Sequence, residues 1–262
     1  MVEVGEVRSN RRRARAISLT GAVVPALVLG AVVGAVVSAL AGAIAGAALL
    51  IAITLAVPRM ATPFAIRLLH ARPAGDGELP RLDNLVDGLC PTFGVRRPTL
   101  MIVDDEVPNA CTLGSGTDHG VLVVTTALEA SLDVIELEGV IAHELSHLKR
   151  SDMVVSSVAV AVLAPLIWLS GSDRLLHRAL GRGRELRADQ VAVRAVRYPP
   201  GLCSALGKFE AMAAPRPGSV FEGRRLSMSR WLWIDPAVGH RGDPVLDDLD
   251  LTTVRIEALT ER

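Results

Sequence analysis

Apolar residues run from Ile17 to Val57 with only Ser18, Thr20, Ser38 and Thr54 as polar interruptions and no charge at all. As helix, those 41 residues would measure about 60 Å, twice the roughly 30 Å of bilayer hydrocarbon. The pattern therefore predicts a hairpin of two membrane-spanning helices over 17–57. The run is also too long for the core of a cleaved signal peptide. Its turn is hard to place, because Gly34 to Gly42 holds Ser38 as the one polar residue. Gly30 and Gly34, and Gly42 and Gly46, have the small-xxx-small spacing that lets two such helices pack closely. Arginines flank both ends: Arg8, Arg11, Arg12, Arg13 and Arg15 before, and Arg59, Arg67 and Arg72 after. By the positive-inside rule both ends are expected in the cytoplasm, which makes 1–16 a basic cytoplasmic N-terminus.

Residues 58–78 read as a linker: prolines stand at 58, 63, 73 and 80, and Phe64 to Leu69 forms an amphipathic piece suited to a membrane surface. From 79 to 262 the periods alternate. Leu79, Leu82, Leu85, Val86 and Leu89 mark a helix; Thr99–Val103, a stretch near Asn109 to Leu113, and Val121–Thr125 are short β-prone runs separated by the Gly114 to Gly120 turn. Helical spacing returns at Leu137, Val140, Ile141 and Leu148, which reads as a half-buried helix. The segment 153–170 is apolar but short for a span, and is expected to pack on the domain or the membrane surface. Further helices carry Glu185, then Leu202 to Phe209, then Val254 to Leu259, with 215–248 as Pro/Gly/Arg-rich loop. The fold class is α+β, mostly helical with a small β-sheet, preceded by the hairpin.

The polar insertion in the helix at 140–148 is His143-Glu144-Leu145-Ser146-His147. Residues four apart share a helix face, so both imidazoles can meet one metal ion, and Glu144 between them can reach a water on that ion as general base. A zinc site of this kind needs a third protein ligand and keeps its fourth position for water. In Arg184-Glu185-Leu186-Arg187-Ala188-Asp189, Glu185 and Asp189 share a face. Taken alone, that stretch reads as an exposed, charge-paired helix; beside the HExxH, Glu185 becomes the third ligand and Asp189 the group that orients a ligating imidazole.

These residues carry a resemblance. The run Ile135 to Asp152, the upstream Pro108-Asn109-Ala110-Cys111 and the ExxxD at Glu185 and Asp189 are similar to the HtpX-like membrane zinc metalloproteases, the HExxH family that also holds the CAAX prenyl proteases. The resemblance covers about residues 79 to 260. It implies a zincin-like metallopeptidase domain with one Zn2+ per chain, held by His143, His147 and Glu185, and Glu144 as base. It implies that the Asn109-Ala110-Cys111 segment binds the substrate, consistent with an edge strand to which an extended peptide adds. Val254-Arg255-Ile256 is similar to the family's closing block, and Arg255 would help stabilise the oxyanion of the tetrahedral intermediate. Two departures stand out. The histidine that precedes that block is Leu249 here, and relatives place two spans where this chain has the single apolar segment 153–170.

Composition narrows the rest. With 28 basic against 28 acidic residues, no nucleic-acid partner is expected, and three scattered cysteines suggest neither a disulfide framework nor a thiolate metal site. The expected protein is a multi-pass cell-membrane endopeptidase with its catalytic domain in the cytoplasm. Its expected partners are the lipid bilayer and polypeptide substrates, among them misfolded membrane proteins. A sensor protease that cleaves one regulatory target, and a catalytically silent scaffold that keeps its zinc for folding, are the alternatives; Leu249 favours the latter.

Overall fold

In the computed structural model, which describes residues 4–163, 179–181, 183–211, 217–221, 229–236 and 252–261, the apolar run forms two antiparallel helices. These are α1 (Val4–Val36) and α2 (Ala39–Leu69), both long and apolar enough to cross a membrane by length and composition. The turn falls at Val37-Ser38. Ser38 is extended, and its Oγ accepts the Ala41 N–H at 3.2 Å, so the single polar residue of that stretch is the cap that starts α2. The glycine seam holds the pair together: a methyl group on Gly42 would overlap the Gly30 carbonyl oxygen and lie 2.6 Å from Gly34 Cα. Outward, Val24, Leu27, Val28, Val32, Leu40, Ile44 and Ile51 are all exposed, a surface that suits hydrocarbon rather than water.

The helix does not stop at Pro58. It continues through Pro58 and Pro63 to Leu69, so a linker can begin only at residue 70. Each proline removes one backbone bond, but Ala61, Ala65 and Leu69, at 1 % exposure or less, keep one face of α2 packed on the protein, and tertiary packing outweighs the local loss. The basic N-terminus is likewise helical from Val4, and it is docked: the Asn10 side chain donates to Arg150 O at 3.1 Å, Arg13 to Ala179 O at 2.9 Å, and Arg150 to Glu6 at 2.8 Å.

Beyond the hairpin lies a four-stranded sheet of β1 (Arg72–Pro73), β2 (Thr99–Val103), β3 (Ala110–Gly114) and β4 (Gly120–Thr125), in the order β1-β2-β4-β3. β2 and β4 are parallel, while β1 pairs antiparallel with β2 and β3 with β4, Cys111 opposite Val123. The two-residue β1 was not apparent from sequence, since a proline and an arginine carry no strand pattern. β3 lies at one edge. The helices that follow are α3 (Pro80–Phe93), α4 (Thr126–Ser131), α5 (Val134–Arg150), α6 (Met153–Leu163), α7 (Arg184–Val196), α8 (Pro199–Ala211) and α9 (Thr252–Thr260), with a 3-10 turn at Arg230–Leu232. α5 passes between β3 on one side and α7 and α8 on the other; α6 is wedged between β3 and both hairpin helices. The rest of the apolar segment, 164–170, lies outside the described residues.

Candidate metal centre

α5 begins with a capping box. The Glu136 N–H donates to Asp133 Oδ1 at 2.9 Å and the Asp133 N–H to Glu136 Oε2 at 2.8 Å, fixing where the helix starts and hence which face each later residue takes. From Leu137 to Leu148 every side but Glu138 is buried, deeper than the half-buried helix expected. The reason lies in its neighbours: Gly139 has no room for a side chain, its Cβ position being 2.8 Å from Leu202 N, so α8 closes directly over α5.

The buried polar positions converge. His143 and His147 are 0 % and 2 % exposed, Glu185 on the first turn of α7 is 6 %. His143 Nε2 lies 3.1 Å from His147 Nε2 and 3.0 Å from Glu185 Oε2, and His147 Nε2 is 3.6 Å from the same carboxylate oxygen. The outer nitrogens are fixed by carboxylates: His143 Nδ1 to Asp189 Oδ1 at 2.7 Å, and His147 Nδ1 to Asp152 Oδ1 at 2.8 Å. With each Nδ1–H donated outward, two imidazole lone pairs and a carboxylate oxygen face one another in a space that holds no donor for them. A metal ion between them resolves this, as does a proton on His143 Nε2 when no metal is bound. Donor atoms of a tetrahedral zinc site, about 2.0–2.1 Å from the ion, lie about 3.3 Å apart, close to what is found here, and the N, N, O set suits zinc. One metal ion fits the three residues.

Charge around the centre is matched by partners. Burial disfavours the charged imidazole of His143, but the hydrogen bonds to Asp189 and Glu185 outweigh it and carry its pKa up to about 9. Glu185 is held well below the usual carboxylate range: burial opposes this, and Arg184 and the two histidines overcome it. Asp152, fully buried, is drawn down to about 2 against its desolvation by His147, Arg184 and Arg150. Asp189 is lowered against burial chiefly by Arg255.

Glu144, 1 % exposed, receives a hydrogen bond from Thr112 Oγ1 on β3 at 2.7 Å. Sequence reasoning missed Thr112, which lies just past the Asn109-Ala110-Cys111 segment, and it missed Asp152. The signal for Asp152 was available only as a turn: Ser151 ends α5 in the left-handed conformation, φ 56, and swings the chain back so that Asp152 reaches His147.

Arg255 is turned toward Asp189 and the carbonyl of Ile234. Its Nε and Nη2 clasp both oxygens of Asp189 at 2.8 Å, and Nη1 donates to Ile234 O at 2.7 Å, all on the Nδ1 side of His143. Fully buried, this cation is matched to Asp189. β3 is the edge strand expected, but its start is covered: the Ile234 N–H donates to Ala110 O at 2.9 Å. The Asn109 side chain holds Asp235, and Cys111 pairs inward with Val123. Leu249 lies outside the described residues.

Two helix-borne histidines four apart, a carboxylate from a second helix and a glutamate beside the first histidine define a metallopeptidase centre. Residues 78–232 match the family described as Peptidase family M48, and the chain belongs to that family. Similar proteins include the protease HtpX homolog of Dictyoglomus thermophilum, 35 % identical over 171 residues, 53 % of this chain and 56 % of that one. They include the homolog of Tropheryma whipplei strain Twist, 33 % over 205 residues (65 % and 68 %), and that of Pyrococcus furiosus, 33 % over 181 residues (56 % and 62 %). The chain thus spans little more than half the length of the first of these relatives.

Proposed function

We propose that this protein is a membrane-anchored, zinc-dependent endopeptidase. The observation that carries the reading is the convergence of His143 Nε2, His147 Nε2 and Glu185 Oε2, with both Nδ1 atoms tied to buried aspartates. His143, His147 and Glu185 hold the ion, which when bound acidifies a water and polarises the scissile carbonyl. Glu144 accepts the proton of the attacking water and passes it to the leaving amine. Thr112 keeps the Glu144 carboxylate aimed, Asp189 and Asp152 fix the imidazole tautomers, and Arg255 positions Asp189. The substrate is an extended polypeptide that adds to the outer edge of β3 at Asn109, Ala110 and Cys111. α1 and α2 cross the cell membrane, with the catalytic domain on the cytoplasmic side, and misfolded membrane proteins are the substrate class that an enzyme held at the bilayer by this hairpin would meet.

The test compares detergent-purified protein with its Glu144→Gln variant, given zinc and an unfolded substrate such as casein. Wild type should cleave and the variant should not, by at least about 10²-fold, with one zinc per chain in both. Equal cleavage by the variant would refute the role of Glu144. If neither cuts while both hold zinc, the silent scaffold takes its place.

A further inference from the structure

The metal centre is closed on every described side. His143, Glu144 and His147 are 2 % exposed or less, so no polypeptide reaches them unless a segment moves. α5 and α7 carry the metal-facing residues, β3 holds Thr112 against Glu144, and α6 is wedged against the hairpin. Moving α5, α7 or β3 would separate these groups. Among the described residues, the remaining wall is the segment 229–236, which contributes no metal-facing side chain. Trp231, Trp233 and Pro236 line, with Arg184 and Glu185, a cavity of about 10 Å³ beside the Glu185 carboxylate, room for about one water.

The same segment sits on the edge of β3. The Asn109 carbonyl turns toward β4, where it accepts the Thr125 N–H at 3.1 Å, so the carbonyl of Ala110 turns outward; Ile234 takes it. The Asn109 side chain grips the Asp235 backbone both ways, Nδ2 to the carbonyl at 3.0 Å and Oδ1 to the N–H at 3.3 Å. The bond from Ile234 to Ala110 O is one an added strand would make at this position, while the Ala110 N–H is held by Asn109 Oδ1 at 3.0 Å, so the Asn109 amide stands between β3 and the segment. The segment is also tied to the groups behind the metal: Arg255 donates to Ile234 O at 2.7 Å and Arg184 to Trp231 O at 3.2 Å.

We infer that residues 229–236 are an internal strap occupying the strand-addition site of β3, and that a substrate strand binds by displacing it. The inference rests on the reading of β3 as the substrate edge. It also names the substrate chemistry. Trp231, Leu232, Trp233 and Ile234 are all buried, with Trp233 packed on Phe221 at 4.9 Å between ring centroids. A displaced strap leaves an apolar bed that the incoming chain must refill, so substrates are extended segments bearing bulky apolar side chains. Folded domains and strongly hydrophilic chains leave the strap in place.

The strap carries two of the three tryptophans, the other being Trp168. Full-length Trp168→Phe/Glu144→Gln protein, loaded with zinc, therefore reports on the strap alone and cannot turn over. Reduced, alkylated ribonuclease A, which has no tryptophan, is the probe. Its addition should raise acrylamide quenching of the two indoles by about threefold or more, as expected for local opening. In the background with Glu144 intact, Ile234→Pro, which deletes the N–H held by Ala110, should raise kcat/KM several-fold with zinc content unchanged. Indoles that stay shielded while the Glu144-intact protein cleaves the same probe would overturn the inference, making the segment a fixed wall. If the Glu144-intact protein cleaves nothing, the protease reading fails separately, and quenching in the inactive protein still decides whether chains displace the strap. An Ile234→Pro chain that does not fold leaves that decision unaffected.

Discussion

The hairpin and the metal layer are both helices packed on helices, yet they cohere by opposite means. Between α1 and α2 there is almost nothing polar; the helices approach until backbone meets backbone at Gly30, Gly34 and Gly42, and their outer faces are left bare. Between α5 and α7 there is almost nothing neutral at the centre: His143, His147, Asp152, Arg184, Glu185, Asp189 and Arg255 are all at 6 % exposure or less. One region is held by the absence of side chains and the other by charges that would be untenable without their partners. The contrast teaches where each is fragile. A seam of glycines fails through added volume, a buried ionic layer through a removed partner.

The largest effect should come from the ionic layer. Arg255→Ala strands a buried Asp189 carboxylate, and chemical denaturation of the metal-free protein should show about 3–5 kcal/mol less stability. In the seam, Gly42→Ala pushes a methyl group into the facing backbone and should cost about 1–3 kcal/mol of thermal stability in detergent, with zinc content unchanged. A loss of zinc instead would mean that the two regions are not independent. Asp152→Asn leaves an oxygen that can accept the His147 Nδ1–H but removes the negative charge behind the ring, and should weaken zinc binding by about tenfold to a hundredfold in a chelator competition. The pH dependence is sharpest for His143. Its proton, held up to about pH 9 in the metal-free chain, must leave before a metal can bind, so apparent zinc affinity should fall by about tenfold per unit as pH drops below about 9. Calorimetry in buffers of different ionisation enthalpy would detect the released proton.

What was legible in sequence follows the same divide. Helical spacing alone brought His143 and His147 onto one face with Glu144 between them and paired Glu185 with Asp189, because α5 and α7 are regular and spacing maps directly to direction. The strands at Thr99–Val103 and Val121–Thr125 were legible for the same reason. Residues whose roles depend on where a chain turns were not. Asp152 lies beyond the helix, Thr112 matters only because β3 runs beside Glu144, and 229–236 reads as loop although it docks on β3. Arg255 was matched by position, but the direction of its guanidinium is set by Asp189, a partner 66 residues away in sequence. Pro58 and Pro63 misled in the other direction, since local breakers cannot announce the packing that overrides them.

The docking of α1 bears on how the protein can be divided. The family match begins at residue 78, which invites a soluble peptidase domain cut at that point. Such a cut would take Glu6 and Asn10 away from Arg150, three residues past His147, and strip the hairpin from α6. The boundary drawn by homology is not a boundary of mechanical independence. The first apolar helix also braces the end of the helix that carries His143 and His147, and an excised domain would begin life with a buried arginine uncovered beside the candidate metal centre.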